Sequence, residues 1–272
     1  MATLGWIGFG RIGTPMALRV VAAGHRVQGY DILEDNLAAA LAQGAVRAHA
    51  AADAAAGAEV VFLCLPDTDA VESAVFGPAG VAAGAPRGAI IVDHSSILPD
   101  RSRAMAQRAQ ADHGIGWIDA PVSGGPGAAS AGTLTAWLGG DTALVARASP
   151  WIATYASRIS HMGASGLGQV AKSCNQAVVC VTVAAWAEML RYARHAGLDA
   201  PFLVETLEGS GSDSLIRHAF GRGLAEGRFP ELSRRNMTKD LKIIADLAGA
   251  TATPMALTQA ALALFADDFP PT

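Results

Sequence analysis

Two sets of residues in this sequence have the types and spacing to do chemistry. Gly8, Gly10 and Gly13 stand as G-x-G-x-x-G directly after a short apolar run, and Asp31 lies 18 residues past Gly13. The first glycine of such a triplet permits a tight turn, the second lets the backbone approach a pyrophosphate, and the third lets helix and strand pack closely. With Phe9, Arg11 and Ile12 they form a candidate dinucleotide cradle, in which a diphosphate rests on the free amides of a helix N-terminus. In a chain with 30 glycines the triplet alone says little. A strand before it, a helix after it and a carboxylate at the right distance give it weight. At the end of the second strand Asp31 would accept both ribose hydroxyls of NAD and repel a 2′-phosphate. Ile32 and Leu33, which follow, supply no arginine for such a phosphate. NAD is the expected cofactor, with NADP less favoured.

The second set is the lysines. Of 20 basic residues only three are lysine, Lys172, Lys239 and Lys242. An ammonium can be tuned by burial to release a proton near neutral pH, whereas arginine stays charged. Lys172 lies in G-L-G-Q-V-A-K-S-C-N-Q, residues 166–176, an otherwise apolar stretch. Asn175, three residues on, shares its helix face. The pair could hold an amine and a substrate hydroxyl together, the arrangement general acid–base catalysis needs. Other bases are weaker candidates: His94, beside Asp93, reads as a loop histidine, and His161 as structural. No tyrosine is followed by lysine four residues later, which removes the Tyr-x-x-x-Lys dehydrogenases. Cys64, Cys174 and Cys180 are too few and too scattered for a four-cysteine zinc site or a disulfide framework, so no metal is expected and a reducing cytoplasm is the simplest setting.

These residues need elements to position them. To about residue 162, short β-rich runs alternate with Ala-rich helical ones, the signature of a parallel sheet with crossover helices. Strands are predicted at 4–7, 27–30, 60–65, 89–93, 117–120 and 134–138, and helices at 11–23, 34–43, 69–75 and 99–113. A long proline-free helix at 164–195 then links to an all-α region with helices at 201–208, 214–221, 238–248 and 254–266. The expected architecture is an α/β Rossmann-type N-terminal domain, 1–162, which binds NAD. An all-helical substrate and oligomerisation domain, 163–272, follows it through the long interdomain helix. A helix apolar all round must be covered on every side, which predicts a homodimer or homotetramer.

In order along the chain stand the glycine-rich entry, D-A-P-V-S-G-G at 119–125 with G-T-L-T just after, G-x-G-x-x-x-K-x-x-N at 166–175, and Lys239-Asp240-Leu241. This series resembles the β-hydroxyacid dehydrogenase family, which includes 3-hydroxyisobutyrate dehydrogenase and 2-hydroxy-3-oxopropionate (tartronate semialdehyde) reductase. It covers essentially the whole chain. The resemblance implies that Ser123, Gly124 and Gly125 bind the substrate carboxylate, largely through backbone amides. It makes Lys172 the catalytic acid/base, with Asn175 and Gln176 beside the substrate. Leu65, Pro66 and Ser96 would line the nicotinamide side, and Lys239 would reach the cofactor. Two departures stand out: Gln176 replaces a frequent second asparagine, and Leu232, Arg234 and Arg235 stand where many relatives carry an aromatic and an acidic residue.

The implied activity is NAD-dependent interconversion of a small 3-hydroxy acid and its semialdehyde. Imine reductases of the same superfamily generally replace the lysine, and long 6-phosphogluconate dehydrogenases have a larger helical domain. A non-catalytic dinucleotide-binding module is the alternative from outside the enzymes. With 24 acidic against 20 basic residues and no basic run, nucleic acid is not an expected partner. Apolar stretches broken well short of about 20 residues predict no membrane span, and the first residues read into a strand rather than a leader.

Overall fold

The computed structural model describes residues 1–266 and 269, so the last residues of the expected 163–272 domain lie outside the described residues. The chain divides into two compact units, Met1–Lys172 and Ser173–Thr272.

The first unit is built on one sheet. Strands β1 (Thr3–Ile7), β2 (Arg26–Tyr30), β3 (Val46–Arg47), β4 (Val60–Leu63), β5 (Ile90–Asp93) and β6 (Gly116–Asp119) run parallel in the order β3-β2-β1-β4-β5-β6. Beyond β6, β8 (Leu134–Gly139) pairs antiparallel with β6 and with β7 (Val122–Ser123), and β9 (Ala156–Gly163) pairs parallel with β8. The helices are α1 (Gly13–Ala22), α2 (Ala38–Ala42), α3 (Ala51–Ala55), α4 (Thr68–Phe76), α5 (Val81–Gly84), α6 (Pro99–Arg108), α7 (Gly125–Ala131) and α8 (Thr142–Ile152). Strand order reverses between β1 and β4, the switch point at which open parallel sheets bind ligands beyond their carboxyl ends.

Period-two patterning explains why the central strands are apolar throughout. Val60 and Phe62 enter one core cluster with Ile90 and Val92, whereas Val61 and Leu63 enter the other with Ile91. Both faces of the sheet are therefore covered, as parallel sheets require. The six predicted strands are present, with 60–65 shortened to Leu63. The predicted helix at 34–43 begins as a 3₁₀ turn, Glu34–Leu37, before α2, and that at 99–113 ends in a π turn, Ala109–His113. Three strands and four helices were not legible. β3 and β7 have two residues each, and β9 exposes Arg158, Ser160 and His161 instead of alternating. Pro150 in its last turn hides α8, although Asp141 caps that helix by accepting from the amides of Ala143 and Leu144.

Helix α9 (Leu167–His195) runs from the first unit into the second. The second unit continues with α10 (Ala200–Thr206), a π turn (Arg217–Gly221) leading into α11 (Arg222–Ala225), α12 (Glu231–Ala250) and α13 (Ala256–Ala266). Its core joins Cys180, Val183, Trp186 and Leu190 of α9 to Val204, Leu224, Leu241 and Phe265. Contrary to the sequence expectation, α9 has the length and composition of a membrane span, a test that the core helix of a soluble protein also passes. Helix α12 starts seven residues before its predicted position of 238, and in its first turn Glu231 accepts two hydrogen bonds from Arg234. Ion pairing one turn apart supports this segment where apolar periodicity is missing.

His94 lies in the loop that follows β5, as expected, but it is buried. Its ring stacks on Phe62 with 5.8 Å between centroids, and Tyr155 meets it edge-on at 5.4 Å. Neutral imidazole satisfies both neighbours when Nδ1–H donates to the Ala120 carbonyl at 2.6 Å and Nε2 accepts the Tyr155 hydroxyl at 2.8 Å. Burial pushes His94 down from 6.5 to about 4, against the smaller opposing effect of the Ala120 bond. Its contribution to stability is complete above about pH 6.5 and is lost as pH falls toward about 4. His94→Gln should cost about 1–3 kcal/mol near neutral pH by leaving buried polar groups poorly paired. In urea titrations at several pH values, the gap between wild type and variant should narrow as pH falls through that window.

Candidate active site

The residues expected to carry chemistry in the first unit gather along the carboxyl ends of its parallel strands. β1 runs into the glycine loop, β2 into Asp31, β4 into Leu65 and Pro66, β5 into Ser95 and Ser96, and β6 into the segment that ends at Ser123.

Each glycine of the triplet has its own constraint. Gly8 has φ +96°, and a Cβ there would lie 2.4 Å from the Cys64 carbonyl oxygen. A Cβ on Gly13 would lie 2.1 Å from the Gly8 oxygen, so α1 can enter this closely only as glycine. Gly10 faces open space. A side chain at Gly10 would project into the region through which a pyrophosphate approaches the loop. Ile12, at the N-cap of α1, provides no side-chain acceptor, which leaves the first amides to backbone or ligand. These features fit a dinucleotide diphosphate. Asp31 braces the loop: its Oδ2 accepts the Phe9 amide at 2.6 Å and its Oδ1 the Leu33 amide at 2.8 Å. Each carboxylate oxygen keeps a further lone pair for a hydroxyl. Ile32 and Leu33 are exposed and apolar, without a cation for a 2′-phosphate. Arg11 is exposed at the mouth of the loop.

Lys172 is half-buried in the second turn of α9, and its Nζ donates to the Val122 carbonyl oxygen at 2.9 Å. Val122 immediately precedes Ser123, Gly124 and Gly125. Both glycines have left-handed backbones, φ +128° and +72°, and turn the chain from β7 into α7. A Cβ on Gly124 would press on Ala128 at 2.6 Å, whereas Gly125 faces open space. The Lys172 amine is thus held on the residue that directly precedes Ser123 and the two-glycine turn.

Three further residues organise this edge, and none was given a role on sequence grounds. Asp119, at the end of β6, is buried; its Oδ1 accepts the Gly166 amide at 2.7 Å and its Oδ2 the Gln169 amide at 3.0 Å. Burial raises its carboxyl from 3.8 to about 6, and bonds from the Gly166, Gln169 and Gly168 amides oppose that rise. Gln169 donates to the Ser95 carbonyl at 2.8 Å and accepts the Ile97 amide at 3.2 Å. Ser95 takes the Leu65 amide on its hydroxyl at 2.9 Å. The signal was present in the quoted motifs: Asp119 opens D-A-P-V-S-G-G and Gln169 sits inside the lysine motif.

In the second unit the predicted residues form a polar chain of their own. Asn175 Nδ2 donates to Gln176 Oε1 at 3.0 Å, and Gln176 Nε2 donates to Asp240 Oδ2 at 2.6 Å. Lys239 Nζ stands 3.3 Å from Asp240 Oδ1. Gln176 is thus engaged by Asn175 and Asp240, and Leu232, Arg234 and Arg235 share α12 with Lys239.

Comparison with known proteins agrees with this layout. Residues 3–163 match the family described as the NAD binding domain of 6-phosphogluconate dehydrogenase. Residues 166–267 match that described as NAD-binding of NADP-dependent 3-hydroxyisobutyrate dehydrogenase. The chain is 38% identical to a 3-hydroxyisobutyrate dehydrogenase of Pseudomonas aeruginosa over 77% of this chain and 70% of that one. It is 34% identical to the 2-hydroxy-3-oxopropionate reductase of Escherichia coli over 96% and 89%. Among solved structures, 3-hydroxyisobutyrate dehydrogenase of Mycobacterium tuberculosis with L-serine superposes with a TM-score of 0.85 at 33% identity, covering 98% of this chain and 93% of that one. Fold, ordered motifs and relatives together place the chain in the β-hydroxyacid dehydrogenase family of NAD(P)-dependent oxidoreductases.

Proposed function

We propose that this chain interconverts a small 3-hydroxy acid and its semialdehyde, with NAD as the preferred cofactor and Lys172 as the group that moves the hydroxyl proton. The observation that carries this reading is the seat of Lys172: its amine lies on the Val122 carbonyl, one residue from the Ser123-Gly124-Gly125 turn. A carboxylate held by that turn would bring its β-hydroxyl toward the amine, and such positioning accounts for much of an enzyme's rate. Neutral Lys172 would take the hydroxyl proton during oxidation, and its ammonium form would return it during reduction. The bound nicotinamide supplies or accepts the hydride. Asn175, one helical turn from Lys172, would orient the substrate with Gln176. Leu65, Pro66, Ser96 and Lys239 would serve the cofactor.

Lys172→Ala should lower kcat by about 10²–10⁴-fold, the range for a positioned acid/base group, with NADH binding retained. Initial rates with 3-hydroxyisobutyrate, glycerate, 3-hydroxypropionate, threonate and serine would check this and identify the acid. Wild-type turnover by the variant would overturn the role.

Preference for NAD rests on Asp31 and on the apolar Ile32 and Leu33 that follow it. Hydrogen bonds to a charged group contribute about 1.5–3 kcal/mol, so kcat/KM should favour NAD over NADP by about tenfold or more. Equal values would refute the preference.

Self-association is part of the same reading. Val178, Ala185 and Tyr192 recur every seven residues on α9 and are exposed, Val178 at 68% and Tyr192 at 72%. Residues at this interval share one helix face, which supports a homodimer or homotetramer. Light scattering at micromolar concentration should give a multiple of the 27.7 kDa chain mass, and a monomer would remove the claim. We also infer a reducing, cytoplasmic setting, in keeping with three free cysteines.

A further inference from the structure

We propose that Asp119 and Gln169 are positioning residues for Lys172, fixing the first turn of α9 so that the amine meets the carboxylate-binding turn at one height and angle. This inference rests on the acid/base reading of Lys172 and asks what holds that residue in place.

The first turn of α9 is gripped from two directions. From the end of β6, the Asp119 carboxylate takes the amides of Gly166 and Gln169, one on each oxygen. A carboxylate at a helix start satisfies amides that have no partner inside the helix and complements the positive end of its dipole. The fit leaves little freedom. A Cβ on Gly139 would lie 2.7 Å from both Asp119 oxygens, and a Cβ on Gly168 would lie 2.5 Å from the Trp137 carbonyl and 2.6 Å from that of Asp119. Glycine at 139 and 168 lets the strands and the helix close on the carboxylate.

From the end of β5, Gln169 uses both ends of its amide. Ser95 receives its N–H, Ile97 gives it an amide, and the Ser95 hydroxyl in turn holds the Leu65 amide. The loops expected to line the nicotinamide and the helix that carries the lysine are therefore joined by one side chain. Gly168 and Lys172 are four residues apart, on one face of α9. A shift of the first turn is passed directly to the amine.

The same short segment anchors both ends. Asp119 holds the start of the helix, and Val122, three residues along the chain, receives Nζ at 2.9 Å. Lysine, backbone carbonyl and substrate turn are thus fixed against one another by the 119–125 segment. Misplacement of a reacting group by about 1 Å can cost about 10²-fold in rate.

The test uses Asp119→Asn, Gln169→Met and Lys172→Ala, singly and combined, with kcat, KM, NADH affinity by fluorescence and thermal midpoint measured for each. Asp119→Asn keeps the side chain's size but turns an N–H₂ toward amides that need an acceptor. It should lower kcat about 10–100-fold per folded molecule, with NADH affinity within about twofold of wild type, since the glycine loop is untouched. In the Lys172→Ala background the same change should add nothing to the loss, because residues that act as a unit are not additive. A purely structural role would lower the thermal midpoint without this kcat-selective, non-additive pattern. If Asp119→Asn does not fold, Gln169→Met carries the test with the carboxylate intact, and should show the same loss of kcat and the same non-additivity with Lys172→Ala.

A kcat for folded Asp119→Asn or Gln169→Met within twofold of wild type, or a loss that multiplies with that of Lys172→Ala, would overturn the inference while the lysine reading stands. Wild-type turnover by Lys172→Ala would overturn both.

Discussion

All six strands of the parallel part of the sheet point the same way, and the placement of functional residues follows from that constraint. A parallel strand must be left by a crossover, so each one ends at the same edge and delivers its exit loop there. Residues as far apart as Gly8, Asp31, Leu65, Ser95 and Asp119 are brought to that edge by strand direction alone. Burial on both faces fixes the register, since alternate residues of β4 and β5 belong to separate apolar clusters and a one-residue slip would exchange them. The loops can then carry glycine, exposed apolar residues and buried polar groups without threatening the scaffold.

What was legible in the sequence is what local pattern determines. The glycine triplet, the carboxylate after β2 and the apolar strands declare themselves within about 30 residues, the scale of a strand–helix–strand unit. The lysine could be singled out because arginine dominates the other basic positions. Illegible features depend on contacts distant in sequence. Asp119 takes amides 47 and 50 residues further on, and His94 meets Tyr155 61 residues later. Nothing near either residue announces its partner. Edge strands were missed for another reason: β9 has a largely exposed face, so it lacks the alternation by which a half-buried strand is read.

Two buried polar groups illustrate opposite solutions to loss of water. His94 gives up its charge and remains neutral between a carbonyl and a hydroxyl, which suits a core position among Trp6, Phe62 and Tyr155. Asp119 is surrounded by backbone amides, which offset part of the cost of its burial. One arrangement stiffens the centre of the sheet. The other joins the sheet to the helix that carries Lys172.

That join bears on how the first unit is completed. The last strand ends at Gly163, yet the carboxylate on β6 receives its amides only from residues 166 and 169. In chain order, all the strands are complete before the residues that give this acid its amides. The first turn of α9 is thus the closing piece of the sheet unit, and the residue proposed for proton transfer is seated by the same turn that covers the buried Asp119 carboxylate.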